Sequence, residues 1–244
     1  VKDKRNLGTI DVATVLAKSS NVGVVKIALT LEPEQMWRTL DQLGFGRVTG
    51  SGFPGESAGI LTSHQHWRPI AQATMSYGYG LSVTPLQLAQ AYAVLGSGGI
   101  RRPVSLRALD AAPQGERVLE EAVARDVVKM MEGVVSDRGT ARRAAILGYR
   151  VAGKTGTAWK ASETGGYSTN KYMAVFGGVV PASNPRLAAV VVIDEPSHGA
   201  FYGGVVAAPV FSTVMSGALR LLAIPPDDLQ GLPATTLVRA QDPW

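Results

Sequence analysis

The 244 residues include no cysteine. Disulfides, thiolate nucleophiles and zinc–thiolate sites are excluded, although the compartment is left open. Long apolar runs are also missing. The longest, Leu187 to Ile193 and Val205 to Phe211, fall far short of the roughly 20 residues of a membrane span. No signal peptide is visible. Charge is sparse, at 18% of residues, and mixed in sign, with a net charge of +5. The short basic clusters Arg101-Arg102 and Arg142-Arg143 have no interleaved aromatics and match no nucleic-acid motif, so no nucleic-acid partner is assigned. They read as solvated surface, or as a mild attraction to anionic polymers or membranes. Histidine occurs three times. His64 and His66 have metal-like spacing but no partner cluster nearby in sequence, so neither a metal nor an organic cofactor is implied.

The residues present describe a folded chain. Apolar residues make up 45% of it, enough for one sizeable core and against bulk disorder. Glycine (28) and proline (14) predict many loops and close backbone approaches. The chain opens on Val1 and a charged Lys2-Asp3-Lys4-Arg5 run. We therefore expect it to be part of a larger protein.

Asp11 is placed to cap a helix through Val12, Val15 and Leu16, which Lys18-Ser19-Ser20-Asn21 interrupts. Apolar spacing resumes at Val22. Pro33 starts a helix through Leu43, and residues 44–82 read as long loops. Thr84-Pro85 opens another helix, ended by Gly96 to Gly99. Residues 119–135 are amphipathic. The pattern then changes to three strands, Tyr149 to Trp159, Tyr172 to Val180 and Leu187 to Asp194, followed by a helix from about Val205 to Leu222. Helices first, then a meander and a closing helix, predict an α+β domain over 1–222. Residues 223–244 read as a loose tail.

Two segments carry chemistry. Val151-Ala152-Gly153-Lys154-Thr155-Gly156-Thr157-Ala158 alternates lysine and hydroxyls with glycine on a predicted strand. Lys154 and Gly156 share one face, and Thr155 and Thr157 the other. Glycine there lets a ligand backbone approach, and Lys154 with a threonine hydroxyl suits a carboxylate. The segment lacks the spacing of a phosphate-binding loop. The second segment, Ser19-Ser20-Asn21, offers a hydroxyl and an amide two positions apart, although such residues at a helix break also serve as caps. In this order, Ser-x-Asn then Lys-Thr-Gly are the second and third elements of the serine acyl-transferases that recognise penicillin.

With these motifs, and with Val15 to Lys26, Tyr77 to Leu95 and Ile193 to Phe211, the chain resembles the transpeptidase domain of class B penicillin-binding proteins, most of all the division-specific FtsI type. The resemblance covers about Asn6 to Leu222. It implies an antiparallel sheet flanked by helices, as in the penicillin-binding transpeptidases and serine β-lactamases, with the N-terminal part of the domain missing. It also implies a serine D,D-transpeptidase that cross-links peptidoglycan stem peptides through an acyl-enzyme during septal cell-wall synthesis and is trapped by β-lactams. Membrane division proteins would be partners. The location would be the periplasmic face of the inner membrane, anchored by a helix outside this chain.

The resemblance assigns roles residue by residue. Ser19 links the catalytic lysine to the leaving-group nitrogen. Asn21 donates to the substrate's amide carbonyl. Lys154 supplies positive charge near Ser19. Thr155 and Thr157 lie at the carboxylate end, with the Thr157 N–H as half of the oxyanion hole and Gly156 between them. Tyr79, Tyr172, Phe201 and Tyr202 match cleft aromatics, and His198 lies beside them. Trp159 stands where some relatives carry arginine, and offers stacking and one N–H donor instead.

The first element, Ser-x-x-Lys, has one match, Ser168-Thr169-Asn170-Lys171, which follows the Lys-Thr-Gly strand instead of preceding Ser19. It reads as a chance match. The nucleophile and the first strands are expected N-terminal to Val1, in a segment of the same protein without which this chain cannot acylate. Asp194-Glu195 reads as structural. Alternatives stay open: a serine β-lactamase, for which no deacylating base is identified, a non-catalytic β-lactam sensor or division scaffold, and an elongation-type transpeptidase.

Overall fold

The computed structural model describes residues 1–162, 165–197 and 199–231. Six helices come first: α1 (Val12–Lys18), α2 (Asn21–Ala28), α3 (Pro33–Gln42), α4 (Pro69–Met75), α5 (Pro85–Gly96) and α6 (Glu121–Val135). Two short antiparallel pairs lie among them, β1 (Ile60–Leu61) with β2 (Leu81–Ser82) and β3 (Ile100–Arg101) with β4 (Glu116–Arg117). The main sheet follows, built from β5 (Ala152–Ala161), β6 (Tyr167–Val180) and β7 (Leu187–Asp194) in that order, antiparallel throughout. The helices α7 (Gly203–Val206) and α8 (Ala208–Leu221) close the fold. This is the α+β arrangement the sequence predicts.

The helix starts have local causes. The Asp11 side chain accepts the Thr14 N–H, and Thr84 and Gln87 form a reciprocal capping box with Pro85 at the first helical position. Pro33 opens α3 in the same way.

Some segments depart from the sequence reading. Residues 44–82 are not loop throughout, because α4 forms within them. Its anchor is tertiary: Gln72 Nε2 donates to the carbonyls of Ala28 and Leu31, each at 2.9 Å, which fastens α4 to the end of α2. The closing helix is also not continuous. It breaks at Ala207, between α7 and α8.

The two faces of the sheet bury different partners. Phe176 and Val180 point towards α8 and pack with Phe211, Met215 and Leu219. The Phe176 and Phe211 rings meet edge to face, 4.8 Å between centroids. Ala152 and Val179 face the other way, onto Val128 and Met131 of α6. The face of β5 that carries Ala152 and Lys154 thus points at the helical side of the molecule, where α1 also packs on α6.

Beyond α8 the chain stays attached. Ile224 is buried, and its carbonyl accepts from Tyr149 Oη at 2.6 Å. Asp227 accepts from the Arg150 N–H at 2.7 Å and from Ser183 Oγ at 2.6 Å. The stretch read from sequence as the start of a loose tail is therefore fastened to the segments that precede β5 and follow β6, and residues 232–244 lie outside the described residues.

Candidate active site

Ser19 closes α1 in the left-handed conformation, with φ 55° and ψ 49°. For a residue other than glycine this conformation costs roughly 1–2 kcal/mol and persists where neighbours enforce it. Here the Ser19 N–H bonds Leu16 O at 3.2 Å, and the Ser20 N–H bonds Val15 O at 3.0 Å. Ser20 then caps α2, its Oγ accepting the Gly23 N–H at 2.9 Å, and Asn21 opens the helix. The turn points the Ser19 hydroxyl at β5.

Lys154 meets it there. Its Nζ donates to Ser19 Oγ at 2.7 Å and to Thr155 O at 3.0 Å. Lys154 stands opposite Gly177 on β6. The Tyr92 ring of α5 occupies the space beside Gly177, with Cε2 2.2 Å from where a Cβ would be, so only glycine admits the ring. Burial pushes the Lys154 ammonium down to about 8. A lysine so placed exchanges its proton near neutral pH, within reach of a serine hydroxyl.

The threonines lie alongside. Thr155 Oγ1 is 3.1 Å from Thr140 Oγ1, in the loop after α6. Thr157 Oγ1 accepts the Gly203 N–H at 3.1 Å, which leaves its own proton free to be donated. A Cβ on Gly203 would fall 2.2 Å from Val175 O and 2.4 Å from Gly156 O, so α7 can sit this close only with glycine. The Trp159 N–H donates to Tyr79 Oη at 3.1 Å and thus faces away from β6. By the period of two, the Thr157 N–H faces the same outer edge.

The aromatic residues fall into two groups. Tyr172 stacks on Phe201 at 4.1 Å and 12°, and Phe201 packs on Tyr202 at 4.5 Å. Tyr79 instead joins Tyr77 and Tyr167, at 5.8 and 4.9 Å. Trp159 is half exposed. The structure thus brings Ser19, Lys154 and Thr155 into one hydrogen-bonded row, with Thr157 further along β5 and bonded to Gly203, and places Tyr79 beside Trp159 on the outer edge of β5.

Other sequence candidates have ordinary roles. Ser168 Oγ bonds Asn170 Oδ1 at 2.9 Å. Lys171 pairs with Glu195 at 3.5 Å. On a strand, positions three apart point to opposite faces, so Ser168 and Lys171 form no dyad. Asp194 and Glu195 bind Lys160 at 2.9 and 2.7 Å. His64 packs against Trp37, 5.6 Å between centroids. His198 lies outside the described residues. Among the described residues no group of three or more His, Asp or Glu is placed to hold a metal ion. Thr140, Gly203 and Asp3 all touch the row or its supports, yet sequence reading passed over them. Each sits in a loop or at an element end, and its partners are far away in the chain.

The profile of the penicillin binding protein transpeptidase domain matches residues 1–216. The peptidoglycan D,D-transpeptidase FtsI of Escherichia coli K12 is 48% identical over 229 residues, covering 94% of this chain and 39% of that protein. A probable peptidoglycan D,D-transpeptidase, PenA, of Neisseria meningitidis serogroup A is 45% identical over 226 residues, covering 93% of this chain and 39% of that protein. The chain therefore spans about two fifths of the length of these relatives. Among solved structures, the TP domain of penicillin-binding protein 3 from Burkholderia pseudomallei superposes with a TM-score of 0.88 at 45% identity, covering 96% of this chain and 70% of that one.

Proposed function

The chain belongs to the penicillin-binding protein transpeptidase domain family, and from that premise we propose that the protein containing it is a serine D,D-transpeptidase of septal peptidoglycan synthesis. The carrying observation is the 2.7 Å bond from Lys154 Nζ to Ser19 Oγ. It joins two motifs 135 residues apart, which supports reading them as one proton-handling pair.

In this reading a serine of a Ser-x-x-Lys element N-terminal to Val1 attacks the carbonyl of the terminal D-Ala-D-Ala bond. The serine proton passes by way of Ser19 to the leaving D-Ala nitrogen, and an acyl-enzyme remains. The amine of a neighbouring stem peptide then attacks the ester, releases the serine and completes the cross-link. Asn21 donates to the acyl-side amide carbonyl. The outward Thr157 N–H stabilises the oxyanion together with the nucleophile's own N–H. Losing one such donor costs on the order of 100- to 1000-fold in rate. The Thr157 and Thr155 hydroxyls hold the substrate carboxylate beside Gly156, and Lys154 supplies charge. The Tyr172–Phe201–Tyr202 stack forms one wall, and Tyr79 with Trp159 the other. A β-lactam enters as the dipeptide does and stays as the acyl adduct.

The septal role, division-protein partners and a periplasmic site anchored to the inner membrane belong to the same proposal, and likeness to FtsI supports them. Among the described residues no helix is long and apolar enough to cross a membrane. The test is mass spectrometry of the whole protein after treatment with a penicillin. We expect a stable adduct on a serine N-terminal to Val1. No adduct, or one on Ser168, would overturn the reading and move a non-catalytic sensor or scaffold ahead.

A further inference from the structure

Ser20, the middle residue of the Ser-x-Asn turn, is one of three buried polar residues identified among those described. Its Oγ donates to Asp3 Oδ2 at 2.5 Å, while the same oxygen accepts the Gly23 N–H. The other oxygen, Asp3 Oδ1, accepts the Val22 N–H at 3.1 Å. One carboxylate, 17 to 19 residues away in the chain, thus completes the cap of α2. It satisfies donors that a helix start leaves unpaired, and its charge suits the positive end of the helix. Burial works against ionisation of Asp3, but the bonds from Ser20 and from the Val22 and Asn21 amides outweigh it and hold the carboxyl below its ordinary value.

The next residue fixes the segment from the other side. Lys4 Nζ lies 3.9 Å from the centroid of the Tyr202 ring. Two consecutive residues therefore reach the Ser19–Asn21 turn and the aromatic wall.

The turn needs such support. Ser19 is left-handed, and the Oγ that reaches Lys154 depends on that conformation. The helix before it holds one side of the turn through Leu16 and Val15. On the other side the cap is held by Ser20, and Ser20 is held by Asp3. A Cβ on Gly23 would fall 2.5 Å from Val15 Cγ2, so α1 and α2 are already pressed together and cannot compensate by sliding closer.

We propose that Asp3 is a positioning residue for acyl transfer, locking the Ser19–Asn21 turn in register with Lys154 through Ser20 and the first turn of α2. The proposal rests on the reading of Ser19 and Lys154 as acyl-transfer residues.

The experiment measures acylation of the whole protein by a penicillin in single turnover, separating the limiting rate from the half-saturating concentration. The variants are Asp3→Asn, Asp3→Glu, Ser20→Ala and the Asp3→Asn/Ser20→Ala pair, each with a melting temperature. We expect Asp3→Asn to lower the limiting rate about tenfold or more with half-saturation within about twofold. Asp3→Glu should recover most of that rate, and the double variant should be no slower than the slower single one. A limiting rate for Asp3→Asn within about twofold of wild type overturns the proposal. So does an additive double variant, or a loss confined to melting temperature. If Asp3→Asn does not fold, Ser20→Ala removes the same bond from the other partner and is judged by the same rate thresholds. Failure of the wild-type protein to acylate at all would instead fault the acyl-transfer reading.

Discussion

Lys154 pairs proximity with a weakened grip on its proton. Burial lowers it to about 8, against about 10.4 in an unfolded chain. As the ammonium is lost, the charge beside Ser19 goes with it. We expect acylation to fall along an alkaline limb centred near pH 8 instead of near 10.4, and Lys154→Arg to abolish that limb because arginine stays charged. A pH–rate profile of both proteins checks this. The sign for stability is opposite. Between about 8 and 10.4 the unfolded chain binds more protons than the folded one, so this residue's contribution to stability rises with pH across that window. Thr157 separates its two proposed roles in a similar way. Thr157→Ala removes a hydroxyl fixed by Gly203 but keeps the backbone N–H. We expect weaker carboxylate recognition, with half-saturation raised about tenfold or more and the limiting rate less affected, as resolved by acylation kinetics.

At the scale of elements, the close approaches depend on glycines. Gly177→Ala would drive a methyl into the Tyr92 ring that closes the Lys154 side of the sheet, and Gly153→Ala into the Phe176 ring at 2.4 Å. Overpacking of this kind costs roughly 1–3 kcal/mol. We expect both variants to melt lower, with Gly177→Ala also slowing acylation because the displaced ring borders Lys154. The three sheet strands were legible because β-branched and apolar residues cluster between turn residues, and α1, α3 and α5 because Asp11, Pro33 and Thr84-Pro85 sit at their starts. Helix α4 was not, since its hold is Gln72 reaching carbonyls more than 40 residues away. The site shows the same division. Ser19-Ser20-Asn21 and Lys154-Thr155-Gly156 were readable as ordered motifs. Thr140 and Asp3 were not, because a lone threonine or aspartate in a loop carries no pattern until the fold sets it beside its partner.

The whole molecule is organised around the sheet, with α8 on one face and α5 and α6 on the other. Phe211→Ala, at the centre of the α8 side, should cost about 3–5 kcal/mol, read as a lowered denaturation midpoint. Asp227 joins the chain beyond α8 to both ends of the β5–β6 strand pair's base, at Arg150 and Ser183. Asp227→Ala should lower the melting temperature while leaving penicillin acylation at permissive temperature within about twofold, because none of these bonds reaches the Ser19–Lys154 row.

The outer margin of β5 has a further consequence. The hydroxyl of Tyr79 already occupies the Trp159 amide, whereas the Thr157 amide two residues earlier faces the same outer edge. The margin therefore works as a short rail with a buffer at one end. In the proposed reading, a peptide laid along it takes main-chain bonds as far as Thr157 and then leaves the strand, because Tyr79 holds the next outward amide. In the proposed transpeptidase reading, the length of stem peptide that the margin holds is set by where one tyrosine ends the track.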